Sequence, residues 1–117
     1  MELQTRDMMI EEIKMRSALR DRIIYFSEEI DRDSVMKCRH FFDRIVANDI
    51  PEGINPKDAK EIILRIDSYG GDANATMYLC AHIEYLQSLG YTINTEVCGS
   101  AYSGGFKLLV VGTNRSA

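Results

Sequence analysis

The sequence predicts an α/β fold in which parallel strands alternate with helices. Three observations predict it. Short β-branched and aromatic runs occur at Arg22–Phe26, Glu61–Ile66 and Tyr91–Val97, and runs of this length and type read as strands. Behind the first two, apolar residues recur at spacings of three and four, the period of one helix face. Glycine-rich turns then join the second and third strands to the segments that follow them. Strands that alternate with helices in this way are joined by right-handed crossovers and lie parallel in one sheet.

The elements follow in order. Residues 2–20 are mostly strong helix formers with a weak apolar stripe, Met9 and Ile13, and read as a helix or an arm. Met8, Met9 and Met15 read as packing or contact residues of that segment rather than metal ligands. After the strand Arg22–Phe26, Asp31 to Ser34 offer N-caps. Val35, Cys38, Phe42 and Ile45 then trace a helix face. Pro51, Gly53 and Pro56 mark a surface loop over residues 48–58. The strand Glu61–Ile66 runs into a tight turn, Asp67-Ser68-Tyr69-Gly70-Gly71-Asp72. Ala75, Leu79, Ile83 and Leu86 form the next helix face, which Gly90 stops. The strand Tyr91–Val97 leads to a second small-residue turn, Gly99 to Gly105, then to a short apolar helix ending at Gly112. The chain thus divides into residues 1–20, a helix or arm, and residues 21–117, an α/β domain. Three strands are few for such a sheet, and a fourth is expected only beyond the last helix, so the domain is expected to be incomplete at its C-terminus.

Composition bounds the function. The chain has 117 residues, with 14 Lys and Arg against 18 Asp and Glu, a net charge of −4. This balance gives no electrostatic footprint for nucleic acid or an anionic membrane. No apolar run approaches a membrane span. Charged residues within the first dozen leave no apolar signal-peptide stretch. Cys38, Cys80 and Cys98 are odd in number, widely spaced and without CxxC spacing. A zinc site or disulfide framework is therefore not expected, and buried thiols in a reducing cytoplasm fit better. Cys98 reads as a small buried hydrophobe.

The chemistry concentrates in the two glycine turns. Ligands of open α/β sheets bind outside the carboxyl ends of the strands. Paired glycines let the backbone approach a substrate and aim N–H groups at it. A helix starting near Ser103 would present its first N–H groups beside a hydroxyl, the arrangement an oxyanion hole requires. Neither turn is a dinucleotide or P-loop fingerprint. Asp67 and Asp72 flank the first glycine pair, but Asp is an ordinary turn and N-cap residue, and no metal is expected. On composition and spacing alone, the turns remain simple connections or parts of one site.

Four segments carry a resemblance that narrows this reading. They are Leu19 to Phe26, Ile63-Leu64-Arg65-Ile66-Asp67-Ser68-Tyr69-Gly70-Gly71, Gly99-Ser100-Ala101-Tyr102-Ser103-Gly104-Gly105, and Leu108 to Gly112. Together they resemble the proteolytic subunit of the ATP-dependent Clp protease (ClpP), within the ClpP/crotonase fold. The second resembles the family's I-x-L-x-I-N-S-P-G-G segment, and the third its G-x-A-A-S-M-G nucleophile turn. The resemblance covers most of this chain but only the N-terminal portion of a family member. Tyr69 replaces the usual Pro, Asp67 the usual Asn, and Gly104 the usual Met. It implies Ser103 as nucleophile, with the backbone N–H groups of Gly71 and Gly104 as oxyanion hole and no cofactor. It also implies unfolded polypeptide substrates, a homo-oligomeric, heptamer-type ring and a partner AAA+ unfoldase.

The family's His and Asp fall past Ala117, so the chain alone is expected to be inactive. His40 and His82 have no acidic residue beside them in sequence and read as ordinary helix histidines. Three alternatives stand beside the protease reading. One is a non-catalytic ClpP-like assembly subunit. Another is a signal-peptide-peptidase-like (SppA-type) serine protease, which Ser103-Gly104-Gly105 also resembles. The last is a crotonase-type enzyme binding acyl-CoA thioesters.

Overall fold

The computed structural model describes residues 2–101 and 104–116. The chain runs α1 (Glu2–Asp21), β1 (Ile23–Phe26), α2 (Arg32–Asp49), β2 (Ile62–Ser68), α3 (Ala73–Ser88), β3 (Ile93–Ala101), α4 (Gly104–Val111) and β4 (Asn114–Ser116). The strands form one parallel sheet in sequential order β1-β2-β3-β4. The predicted α/β class and parallel sheet are therefore present. Among the described residues, no helix is long and apolar enough to cross a membrane.

Two boundaries differ from the sequence reading. The fourth strand lies within the chain rather than beyond it. Asn114–Ser116 is short, polar and exposed, so no hydrophobic pattern announces it. It is set by pairing: the Thr113 N–H donates to the Ile93 carbonyl at 2.7 Å, and Asn94 to Glu96 then match Asn114 to Ser116. The second difference is at β3, which continues through Gly99 to Ala101 instead of turning at Gly99. A side chain at Gly99 would stand 2.6 Å from an Asp67 carboxylate oxygen, so glycine here admits a close neighbour rather than making a turn.

Side-chain alternation builds the core. Ile24 and Phe26 of β1, Ile62, Leu64 and Ile66 of β2, and Ile93 of β3 are buried together. Val35, Cys38, Phe42 and Ile45 of α2 join them with Leu79, Ile83 and Leu86 of α3, and Leu108 of α4. Each helix sequence has a physical start. Asp31 and Ser34 form a reciprocal capping box at α2, and Asp72 caps α3. Thr95, fully buried in β3, donates to the Leu109 carbonyl at 2.6 Å and seats α4 on the sheet.

The other sheet face is polar. Arg65 bonds Glu96 through Nε at 3.0 Å and the Tyr25 hydroxyl at 3.1 Å, linking three strands in partly exposed positions. A pair this exposed contributes little to stability.

A buried ionic cluster closes the opposite pole of the sheet. Arg22, in a left-handed conformation at the α1–β1 joint, sends its guanidinium into a bidentate pair with Asp49 at 2.8 and 3.1 Å. The Tyr91 hydroxyl also donates to Asp49, at 3.4 Å. Burial, and secondarily the Asp49 charge, raises the Tyr91 pKa. The cluster ties the end of α1, the end of α2 and the entry to β3 at the N-terminal ends of the strands. Removing one partner of a buried pair leaves the other charge uncompensated. Arg22→Ala or Asp49→Ala should each cost about 3–5 kcal/mol in urea unfolding, and the double variant clearly less than their sum.

Candidate functional site

The site is built at the carboxyl ends of β2 and β3. Ser68, the last residue of β2, is buried and pairs with Ala101, the last residue of β3. The two strands thus end together. The Ser68 Oγ accepts the Gly70 N–H at 3.1 Å and folds the turn back on itself. Gly105, in the first turn of α4, lies against the same residue: a side chain there would stand 2.7 Å from the Ser68 carbonyl oxygen.

Gly71 is fixed by a neighbour that sequence reading did not identify. Ile30, buried between β1 and α2, donates its N–H to the Gly70 carbonyl at 2.8 Å. Its own carbonyl accepts the Asp72 N–H at 2.8 Å. No peptide bond among the described residues is cis. In a planar trans peptide the C=O and the following N–H point in opposite directions. The Gly71 N–H therefore points away from Ile30, toward the β3 side, where α4 begins. Glycine is required: φ is +149°, and a side chain would sit 2.1 Å from the Ile30 carbonyl oxygen.

The Asp72 carboxylate accepts the N–H groups of Asn74 at 2.8 Å and Ala75 at 3.4 Å. The first donors of α3 are thereby occupied, and a phosphate has no free cradle there. A pocket of about 420 Å³ opens beside the turn, lined by Ser27, Glu28, Glu29 and Asp67 through Gly71.

The sequence-predicted residues are placed unequally. Gly71 lies in the turn, and Gly104 is the first residue of α4. Ser103 lies outside the described residues. The described chain on either side of it, Ala101 and Gly105, adjoins Ser68.

His40 is exposed on α2. His82 lies between α3 and α2, with Nε2 3.2 Å from an Asp43 oxygen and its ring against Phe42 and Tyr85. It thus has an acidic partner, 39 positions away in sequence, which local spacing could not reveal. Its neighbour Cys80 instead faces α4, with Sγ 3.9 Å from the Lys107 carbonyl. The His82 pair belongs to the packing of α2 on α3, and neither histidine lines the pocket beside the glycine turn.

The cysteine expectation needs one correction. Cys38 is buried and its pKa is pushed far up by desolvation, and burial also raises that of Cys80. Cys98 is exposed, not buried, because it falls on the outer side of β3. Met15 packs on the core, whereas Met8 and Met9 are exposed.

Comparison with protein families matches residues 6–116 to the family described as Clp protease. A search of curated proteins finds no match.

Two outcomes follow from this geometry. Gly71→Ala should destabilise the fold by about 1–3 kcal/mol or more, because the left-handed φ and the Ile30 collision act together; urea unfolding measures it. Burial, partly opposed by Asp43, lowers the His82 pKa below its ordinary 6.5. The fold therefore favours neutral His82. That contribution is complete above pH 6.5 and is lost as pH falls through the lower folded value. Unfolding midpoints between pH 7.5 and 5 should fall for the wild type and fall less for His82→Gln.

Proposed function

The chain belongs to the Clp protease family, and from that premise we propose that it is the proteolytic subunit of an ATP-dependent Clp serine protease. In this reading Ser103 attacks peptide carbonyls of unfolded polypeptides, and the N–H groups of Gly71 and Gly104 hold the oxyanion. The observation that carries it is the direction of the Gly71 N–H. Ile30 takes up the opposite side of that peptide, leaving the donor aimed toward the edge where α4 starts.

Each chain residue then has a defined task. The serine oxygen forms a bond to the carbonyl carbon, and the carbonyl π-electrons move onto oxygen. Two preorganised N–H donors stabilise that charge, each worth about 3–4 kcal/mol of barrier. Gly104 contributes as the first residue of α4, where N–H groups lack intrahelical partners and the helix dipole is positive. The serine proton needs a general base. Neither His40 nor His82 lines the pocket beside the glycine turn, so in this reading the base and its orienting acid come from outside residues 1–117. Without a base a serine hydroxyl is a weak nucleophile, and residues 1–117 alone are expected to be inactive.

Family membership supports a ClpP-type oligomer working with an ATPase partner in general terms. We extend this to a homo-oligomeric, heptamer-type ring fed by an AAA+ unfoldase in the cytoplasm. One observation favours a second reading, a non-catalytic ClpP-like assembly subunit: His82 is committed to α2 rather than to the glycine turns.

Fluorogenic peptide cleavage by the assembled protease distinguishes the two. Ser103→Ala should reduce it by several orders of magnitude and abolish labelling by a serine-directed fluorophosphonate. Unchanged cleavage would overturn the catalytic assignment.

A further inference from the structure

Two surfaces of this chain are left without partners, and they complement one another. The first is the outer half of α1. From Thr5 to Ile13 every side chain except Glu11 is exposed, including Met8 (72%) and Met9 (57%). Only the later part of α1 reaches the core, through Met15, Ala18 and Leu19. A helical projection of about a dozen residues is marginal in water without tertiary packing. Asp7, Glu11 and Glu12 flank the two methionines on this ridge.

The second surface is a groove of about 410 Å³ between the N-terminal parts of α2 and α3. Val35, Met36, Ala75 and Tyr78 give it an apolar floor and walls. Its rim is basic. Arg32 lines it, and Arg39 bonds the Tyr78 hydroxyl and lies 5.5 Å over that ring. Asp72, the acidic member, is already engaged in capping α3. Methionine is unbranched and deformable, which suits an irregular groove. An acidic, methionine-bearing ridge thus matches a basic, apolar groove in both shape class and charge.

The two cannot meet within one chain, since the ridge is exposed while its own helix is anchored on the core. We propose that the Met8–Met9 ridge of one copy docks in the α2–α3 groove of a second copy. This rests on the self-association proposed above and assigns it two surfaces. Ridge and groove are different patches, so the contact is head-to-tail: each copy offers one of each, and the series closes as a ring or runs on.

Sedimentation of the purified chain with two sets of variants tests this. Met8→Glu/Met9→Glu alters only the exposed ridge, and Met36→Glu only the exposed edge of the groove. Circular dichroism checks that both keep their fold. The wild type should sediment at no less than twice the 13.3 kDa chain mass. Each variant should sediment as a monomer. An equal mixture of the two should recover a heterodimer and nothing larger, because one intact ridge and one intact groove remain. Arg32→Glu should weaken wild-type association at least tenfold. Assembly that survives both variants overturns this interface while leaving self-association standing. A mixture that stays monomeric overturns the head-to-tail pairing. A wild type that is monomeric overturns the docking and the self-association together and leaves the ridge to a different partner; Ser103 labelling in the assembled protease remains an independent check on the catalytic reading.

Discussion

Ile30 holds both peptide groups flanking Gly71, and the candidate site depends on that grip. Its N–H and carbonyl each bond one side of the turn at 2.8 Å, which leaves the peptide plane no rotational freedom. The consequence is electronic as well as geometric. A backbone donor held by a buried neighbour requires no reorganisation when charge develops opposite it. The same grip explains why the position must be glycine, since the space that a side chain would need is filled by the Ile30 carbonyl. Ser68 completes the arrangement by binding the Gly70 N–H and by receiving the first turn of α4 on its carbonyl side.

The sheet separates stability from chemistry. At the N-terminal ends of its strands, Arg22, Asp49 and Tyr91 bury charge and tie three connections together. At the C-terminal ends lie the glycine turns and the pocket. Loops at that end of a parallel sheet converge on one crevice, which is where ligands of such sheets bind. The ionic cluster pays a desolvation cost, including a buried Arg22 Nε with no partner among the described residues, and gains a defined joint between elements.

The helical layer has two characters. Its inner surface is a continuous apolar core. Its outer surface presents the His82–Asp43 pair, the Arg39–Tyr78 contact and the open groove beside them. Assembly and chemistry therefore occupy different surfaces: the groove lies across the layer of helices, the glycine turns at the strand ends. Membership of the Clp protease family accords with a division of this kind, in which subunits associate around the sites they enclose.

The sequence by itself determined the α/β class, the parallel sheet and the two glycine turns. Each of these is recorded in local periodicity: β-branched runs, spacings of three and four, and glycine pairs just after strands. Gly71 was legible because its backbone conformation excludes other residues. Tertiary structure alone decided the rest. Ile30 is one apolar residue in a polar stretch, and only strand pairing brings its peptide to Gly71. Asp43 meets His82 across two helices, a contact that no spacing encodes. β4 is polar and three residues long, and it exists because β3 offers a ladder to pair with. Cys98 is exposed because β3 continues through Gly99 and turns that side chain outward. In each case the deciding force is a backbone or side-chain partner distant in sequence. Composition and period carry no information about such partners until the chain has folded.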